Sequence, residues 1–118
     1  MYNIIPTDKF NDDVEYYVKK KRFCNIGNDI KKITDEIESG NLIGDVIPNL
    51  KIITKNHTYK VRSANTDTKI GKSNGYRIIY YAISDNQEVY LLTIYYKKED
   101  NRVPSNTEIE QLVKKYCL

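Results

Sequence analysis

Tryptophan is absent from this 118-residue chain, and histidine (one), methionine (one), cysteine (two) and proline (three) are scarce. These shortages exclude several chemistries. A structural zinc site takes about four His, Cys or acidic ligands. Here Cys24, His57 and Cys117 are far apart in sequence, with no Cys-x-x-Cys pair, so neither a metal nor a cofactor is expected. No Ser-His-Asp arrangement can be read, and a lone histidine such as His57 is more often structural or simply exposed than catalytic. Gly71-Lys72-Ser73 has the tail of a phosphate-binding P-loop, but position 66, where that motif needs glycine, is Thr66. Long apolar runs are missing too. No stretch approaches the ~18 apolar residues of a membrane span, and MYNIIPTDKF has no apolar leader core. The expectation is a soluble, cytoplasmic protein with reduced thiols and no membrane partner.

What is plentiful is tyrosine, at 11 residues. Tyrosine suits strands and half-buried surfaces, where the ring packs and the hydroxyl stays wet, and it also stacks on bases. The net charge of +3 is unevenly spread. Residues 1–50 carry seven Lys/Arg against nine acids, and residues 81–118 carry five against six. Residues 51–80 carry seven (Lys51, Lys55, Lys60, Arg62, Lys69, Lys72, Arg77) against Asp67 alone. A basic central third between two mildly acidic thirds fits a localised anion-binding surface, or a solvated basic region without a partner.

The length fits a single domain over residues 1–118 that holds a core without metals or disulfides. Residues 2–5 (YNII) read as an edge strand. Thr7 is a helix N-cap after Pro6, and Phe10, Val14, Tyr17 and Val18 give the helix an apolar stripe. Asp8, Asp12 and Asp13 near its start and Lys19 to Arg22 at its end suit the helix dipole. A second helix is expected after Gly27, capped by Asn28 or Asp29, with Ile26, Ile30, Ile33 and Ile37 inward and Ser39-Gly40 at its end. The period then changes. Residues 58–62 alternate as a strand, 63–74 form a polar loop, and 75–83 and 88–96 form a hairpin around a turn at 84–87. Both hairpin strands are apolar on both faces, as at a covered sheet centre. Ser105 and Glu108 form a capping box for a last helix with Ile109, Leu112, Val113 and Tyr116 inward. The class is α+β, in the order β-α-α-β-β-β-α.

Alternation puts Lys60 and Arg62 on one strand face. Arg77 opens the next strand, after the loop that carries Lys69 and Lys72. If the two strands pair, these cations converge at one end of the sheet and call for an anion, either an RNA phosphate or a partner's carboxylates. Tyr95, Tyr96, Lys97 and Lys98 emerge where the last strand runs out, and strand ends are common sites of functional side chains. With histidine excluded, the chemistry left is that of Lys, Arg and Tyr. RNA breaks when a 2′-oxygen attacks the adjacent phosphorus and expels the 5′-oxygen. Cations stabilise the charge that grows on the phosphate, and a Lys or Tyr of depressed pKa moves a proton, worth roughly 10²–10⁴ in rate. Without histidine, positioning must supply much of the remainder, which suits a large partner that holds the RNA.

Tyr59-Lys60-Val61-Arg62, the Gly71-Lys72-Ser73 loop, Gly75-Tyr76-Arg77-Ile78-Ile79-Tyr80-Tyr81, and Val89-Tyr90-Leu91-Leu92-Thr93-Ile94-Tyr95 with the following Lys97 resemble the middle of RelE/ParE-superfamily toxins of the HigB-like branch. Gly40-Asn41-Leu42-Ile43-Gly44 fits as well, and the resemblance runs from about Phe10 to Tyr116. It implies a RelE-like fold, with a curved antiparallel sheet packed by an N-terminal helical hairpin and a C-terminal helix. It also implies a type II toxin that cleaves translated mRNA on the ribosome and is neutralised by a cognate antitoxin, commonly a helix-turn-helix protein. Carried over residue by residue, Arg77, Lys60, Arg62, Lys97 and Tyr95 are the expected catalytic group, and Lys69, Lys72, Lys98 and Tyr96 the expected RNA contacts. Members of the family usually read Tyr-Pro-Lys where this chain reads Tyr95-Tyr96-Lys97. The other readings are a ParE-like gyrase poison of the same fold and a non-catalytic module that binds an antitoxin or nucleic acid.

Overall fold

The computed structural model describes the backbone of residues 1–118 and every side chain except that of residue 100. The elements run β1 (Asn3–Pro6), α1 (Asp8–Lys19), α2 (Ile26–Glu38), β2 (Asp45–Val46), β3 (His57–Ser63), β4 (Tyr76–Ile83), β5 (Glu88–Tyr96) and α3 (Asn106–Cys117), with short 3₁₀ turns at Thr66–Thr68 and Asp100–Arg102. They form one five-stranded sheet in the order β1-β5-β4-β3-β2. The α+β class stands. The sheet, however, is mixed rather than antiparallel, because β1 pairs with β5 in parallel. No local signal could give that direction, since Asn3 meets Glu88 and Pro6 meets Leu91, some 85 residues away. Two-residue β2 is a further strand beyond the expected order and is too short for an alternating pattern to show.

The doubly apolar hairpin does sit at the sheet centre. One face of β4 and β5 packs Tyr76, Ile78, Tyr80, Val89 and Ile94 against Phe10 and Tyr17 of α1 and Ile26 and Ile37 of α2. The other packs Ile79, Tyr81, Leu92 and Tyr95 against Ile109 and Val113 of α3, with Ile47, Leu50 and Ile52 of the segment after β2 closing the margin. Thr7 and the Ser105–Glu108 box cap α1 and α3 as their sequences indicate. Val18 falls outside the α1 stripe and is exposed. Helix α2 begins one turn earlier than expected, with Asn25 at the N-cap position but its side chain bonded to Asp67 instead of capping the helix. Asp67 accepts bonds from the Asn25 backbone and side-chain amides, while Asp29 is buried and accepts from the Thr66 backbone and hydroxyl. The expected cap residue instead docks the β3–β4 loop onto α2.

Helix α1 also finishes the sheet's margin. β1 ends opposite Leu91, so β5 runs on from there without a neighbour on that side. A bulge at Ile79/Tyr80 shifts the ladder at the same level. The Ile94 amide donates to Asp13 (3.2 Å) and the Tyr96 amide to the Tyr17 hydroxyl (2.7 Å). Asp13, expected to serve the helix dipole, is 2% exposed and also takes Lys9, Arg102 and the Thr93 hydroxyl.

Candidate nucleic-acid interface

β3 and β5 finish, and β4 starts, at the same end of the sheet. Arg62 stands opposite Arg77, and Arg77 opposite Tyr95. Opposed residues share a face, so Arg62, Arg77 and Tyr95 form one row across three strands, with Lys60 one pleat back on the same face. His57 pairs with Ala82 at the far end of β3, roughly 16 Å from Arg62 along the strand, and takes no part.

Arg77 is 7% exposed. Its Nη1 donates to the carbonyls of Lys72 (3.0 Å) and Tyr76 (3.2 Å), and its Nη2 to that of Ser73 (2.9 Å). Lys97 adds Nζ to the Ser73 carbonyl (3.1 Å) and its amide to the Gly75 carbonyl (2.9 Å). Gly75 is required here, because a Cβ would lie 2.2 Å from the Ser63 carbonyl oxygen. These bonds fix residues 72–75 against the strand ends. Burial, and then the nearby Arg62, push the Arg77 pKa down, but a guanidinium stays charged at neutral pH. Burial pushes the Tyr95 hydroxyl up, against the pull of Arg77, so it remains a protonated hydrogen-bonding group at neutral pH.

Lys60, Arg62 and Lys72 line one open groove of about 490 Å³, together with Ile33, Ile43, Gly44, Asp45 and Val61. None of the three cations forms an ion pair among the described residues. The fold therefore brings together Lys60, Arg62, Arg77, Tyr95, Lys72 and Lys97. It separates Tyr96, whose ring turns to the opposite face against Phe23 and Tyr76. Lys69, at the end of the Thr66–Thr68 turn, and Lys98, in the turn after β5, are exposed near the same end but do not line the groove. The apolar wall of the groove escaped the sequence reading. Its signal was Ile43-Gly44, where Gly44 has φ +104° and a Cβ would meet the Lys60 carbonyl oxygen at 2.6 Å.

Among the described residues, no three His, Cys, Asp or Glu side chains gather to hold a metal ion, and no helix is long and apolar enough to cross a membrane. No protein-family model matches the chain, and no curated protein matches it either.

Proposed function

We propose that the chain is a cytoplasmic RelE-like toxin of a type II toxin–antitoxin pair, a ribosome-dependent endoribonuclease that cuts translated mRNA. The observation that carries this reading is the set of unpaired cations Lys60, Arg62 and Lys72 in one groove beside the Arg77–Tyr95 row. Three cations against the single carboxylate of Asp45, none of them drawn into an ion pair among the described residues, fit a polyanion. In this reading Lys60, Arg62 and Lys72 hold phosphate oxygens and stabilise the charge that grows as the 2′-oxygen attacks phosphorus. The 2′-proton departs to a base, and the 5′-oxygen leaves and takes a proton. Tyr95 supplies a hydroxyl donor, Arg77 holds the loop that presents Lys72, and no histidine is at hand. The ribosome then supplies the in-line geometry, and a cognate antitoxin silences the protein by covering the cations.

A second reading is a non-catalytic RNA- or antitoxin-binding module. It is favoured by the Arg77 guanidinium being committed to backbone carbonyls and by the burial of Tyr95. Expressing the chain in a bacterium and mapping mRNA 5′ ends separates the two. The nuclease reading expects growth arrest and new cuts in translated messages, both lost in the exposed-site variants Arg62→Ala and Lys60→Ala. Arrest without cuts, or unaffected growth, removes the nuclease.

A further inference from the structure

The groove has an apolar half that phosphate binding leaves unexplained. β2 pairs with β3 only as far as Asp45 opposite Lys60, so β3 runs on through Val61, Arg62 and Ser63 with its outer side unpaired by a strand. The Ile47 amide bonds the Thr58 carbonyl (2.9 Å). This sets the alternation, so Thr58, Lys60 and Arg62 turn their backbone groups outward. The Arg62 N–H therefore points to the groove, past the last strand pair. From one face of the sheet come the side chains of Lys60 and Arg62, and from the other Val61, with Ile33 of α2 and Ile43 beside it. The Ile43–Gly44 corner is held rigidly, with the Ile43 carbonyl taking the Tyr80 hydroxyl at 2.6 Å and Gly44 resting on Lys60.

We infer that this groove is a single-nucleotide pocket. The phosphate sits on Lys60, Arg62, Lys72 and the Arg62 N–H, and one unstacked base lies on the aliphatic wall of Ile33, Ile43 and Val61. The inference rests on the reading of the groove as an RNA site and deepens it. A volume of about 490 Å³ falls within the roughly 300–1,000 Å³ of small-ligand sites, and sequence-selective proteins bind single-stranded RNA through splayed bases. An acidic peptide would match the cations but gains little from a rigid apolar wall opposite them. Asp45, the acid in the lining, repels a second phosphate and offers an acceptor to an exocyclic amino group.

The test is a titration of the full chain, labelled in Ile and Val methyls and backbone amides, with each of the four nucleoside 5′-monophosphates and with ribose 5-phosphate. The nucleotides are expected to shift the Ile33, Ile43 and Val61 methyls and the Arg62 amide, and to bind about tenfold more tightly than the sugar phosphate, about 1.4 kcal/mol. Ile33→Ala should bring nucleotide affinity close to that of ribose 5-phosphate, while Lys72→Ala weakens both alike. Equal affinities in the wild type with silent methyls would overturn the pocket. Hexaglutamate should displace nucleotide through the shared cations while leaving the Ile33, Ile43 and Val61 methyls still, and methyls that answer to it as strongly as to nucleotide would overturn the base site. Cellular mRNA cuts with silent methyls would leave the nuclease standing without this pocket. Responsive methyls without cuts would keep the pocket on a non-catalytic module.

Discussion

Arg77 carries the plainest residue-scale consequence. Three of its five donors go to carbonyl oxygens of residues 72, 73 and 76, so it shapes the loop that brings Lys72 to Lys60 and Arg62. A flat, forked guanidinium spreads its donors over separate nitrogens that reach carbonyls of three residues here, whereas a lysine ammonium has all its donors on one nitrogen. On single-stranded RNA each neutralised phosphate adds about 0.7 to the salt slope of binding. Lys72→Ala should remove one such unit. Arg77→Ala should remove the same unit by releasing the loop, and the double variant should lose no more than either single one. Measured by fluorescence anisotropy across a salt series, a double-variant loss near 1.4 would instead put Arg77 itself on a phosphate. Arg77→Lys should behave like Arg77→Ala, because its charge remains but its fork is gone.

At the scale of elements, α1 does two jobs. It covers one face of the sheet, and it serves the amides of β5 that lie beyond the end of β1. Tyr17→Phe keeps the ring packing against Phe23 and Tyr76 but strands the Tyr96 amide, at a cost of about 1–3 kcal/mol. Asp13→Ala leaves Arg102, the Thr93 hydroxyl and the Ile94 amide without their acceptor at once, and so should cost more than Tyr17→Phe. Chemical denaturation of both variants checks the order. A Tyr17→Phe loss as large as that of Asp13→Ala would mean the hydroxyl does more than cap one amide. The elements themselves were largely written in local signals, such as Thr7 before a 3.6-residue stripe, Ser105 with Glu108, and the β-rich runs around 84–87. Asp29 and Asp13 were misjudged because their partners, Thr66 and Ile94, are 37 and 81 residues away, and spacing along a helix says nothing about such distant donors. The convergence of Lys60, Arg62 and Arg77 was legible from strand alternation. The turning away of Tyr96 followed from the same alternation that put Tyr95 on the row. Ile33 and Ile43 were hidden because aliphatic residues at helical or loop spacing look like core wherever they stand.

The whole molecule concentrates its titratable burial in phenols. Burial pushes Tyr17 up to about 12 and also raises Tyr76, Tyr80 and Tyr95, against roughly 10 in an unfolded chain. The folded state thus holds these protons to higher pH than the unfolded state. Their contribution is fully present below about pH 10 and is lost as pH climbs through the folded values, since the unfolded chain then binds fewer protons. The midpoint of urea unfolding should be nearly level from about pH 7 to 9 and fall steeply above pH 10, with a distinct step of tyrosinate absorbance at the unfolding transition. Unfolding without such a step would show the phenols to be wetter than their burial implies.

The parallel pairing of β1 with β5 also orders events in time. During synthesis the chain emerges vectorially, at about 5–20 residues per second. The partners of Asn3–Pro6 at Glu88–Leu91, and the amides served by Asp13 and Tyr17, exist only once the last strand has been made. Until then α1 has no sheet margin to seal, the cationic row lacks Tyr95, and the Arg77 loop lacks Lys97. The cationic end of the sheet is therefore completed only after nearly the whole chain has been made, however early its own residues emerge.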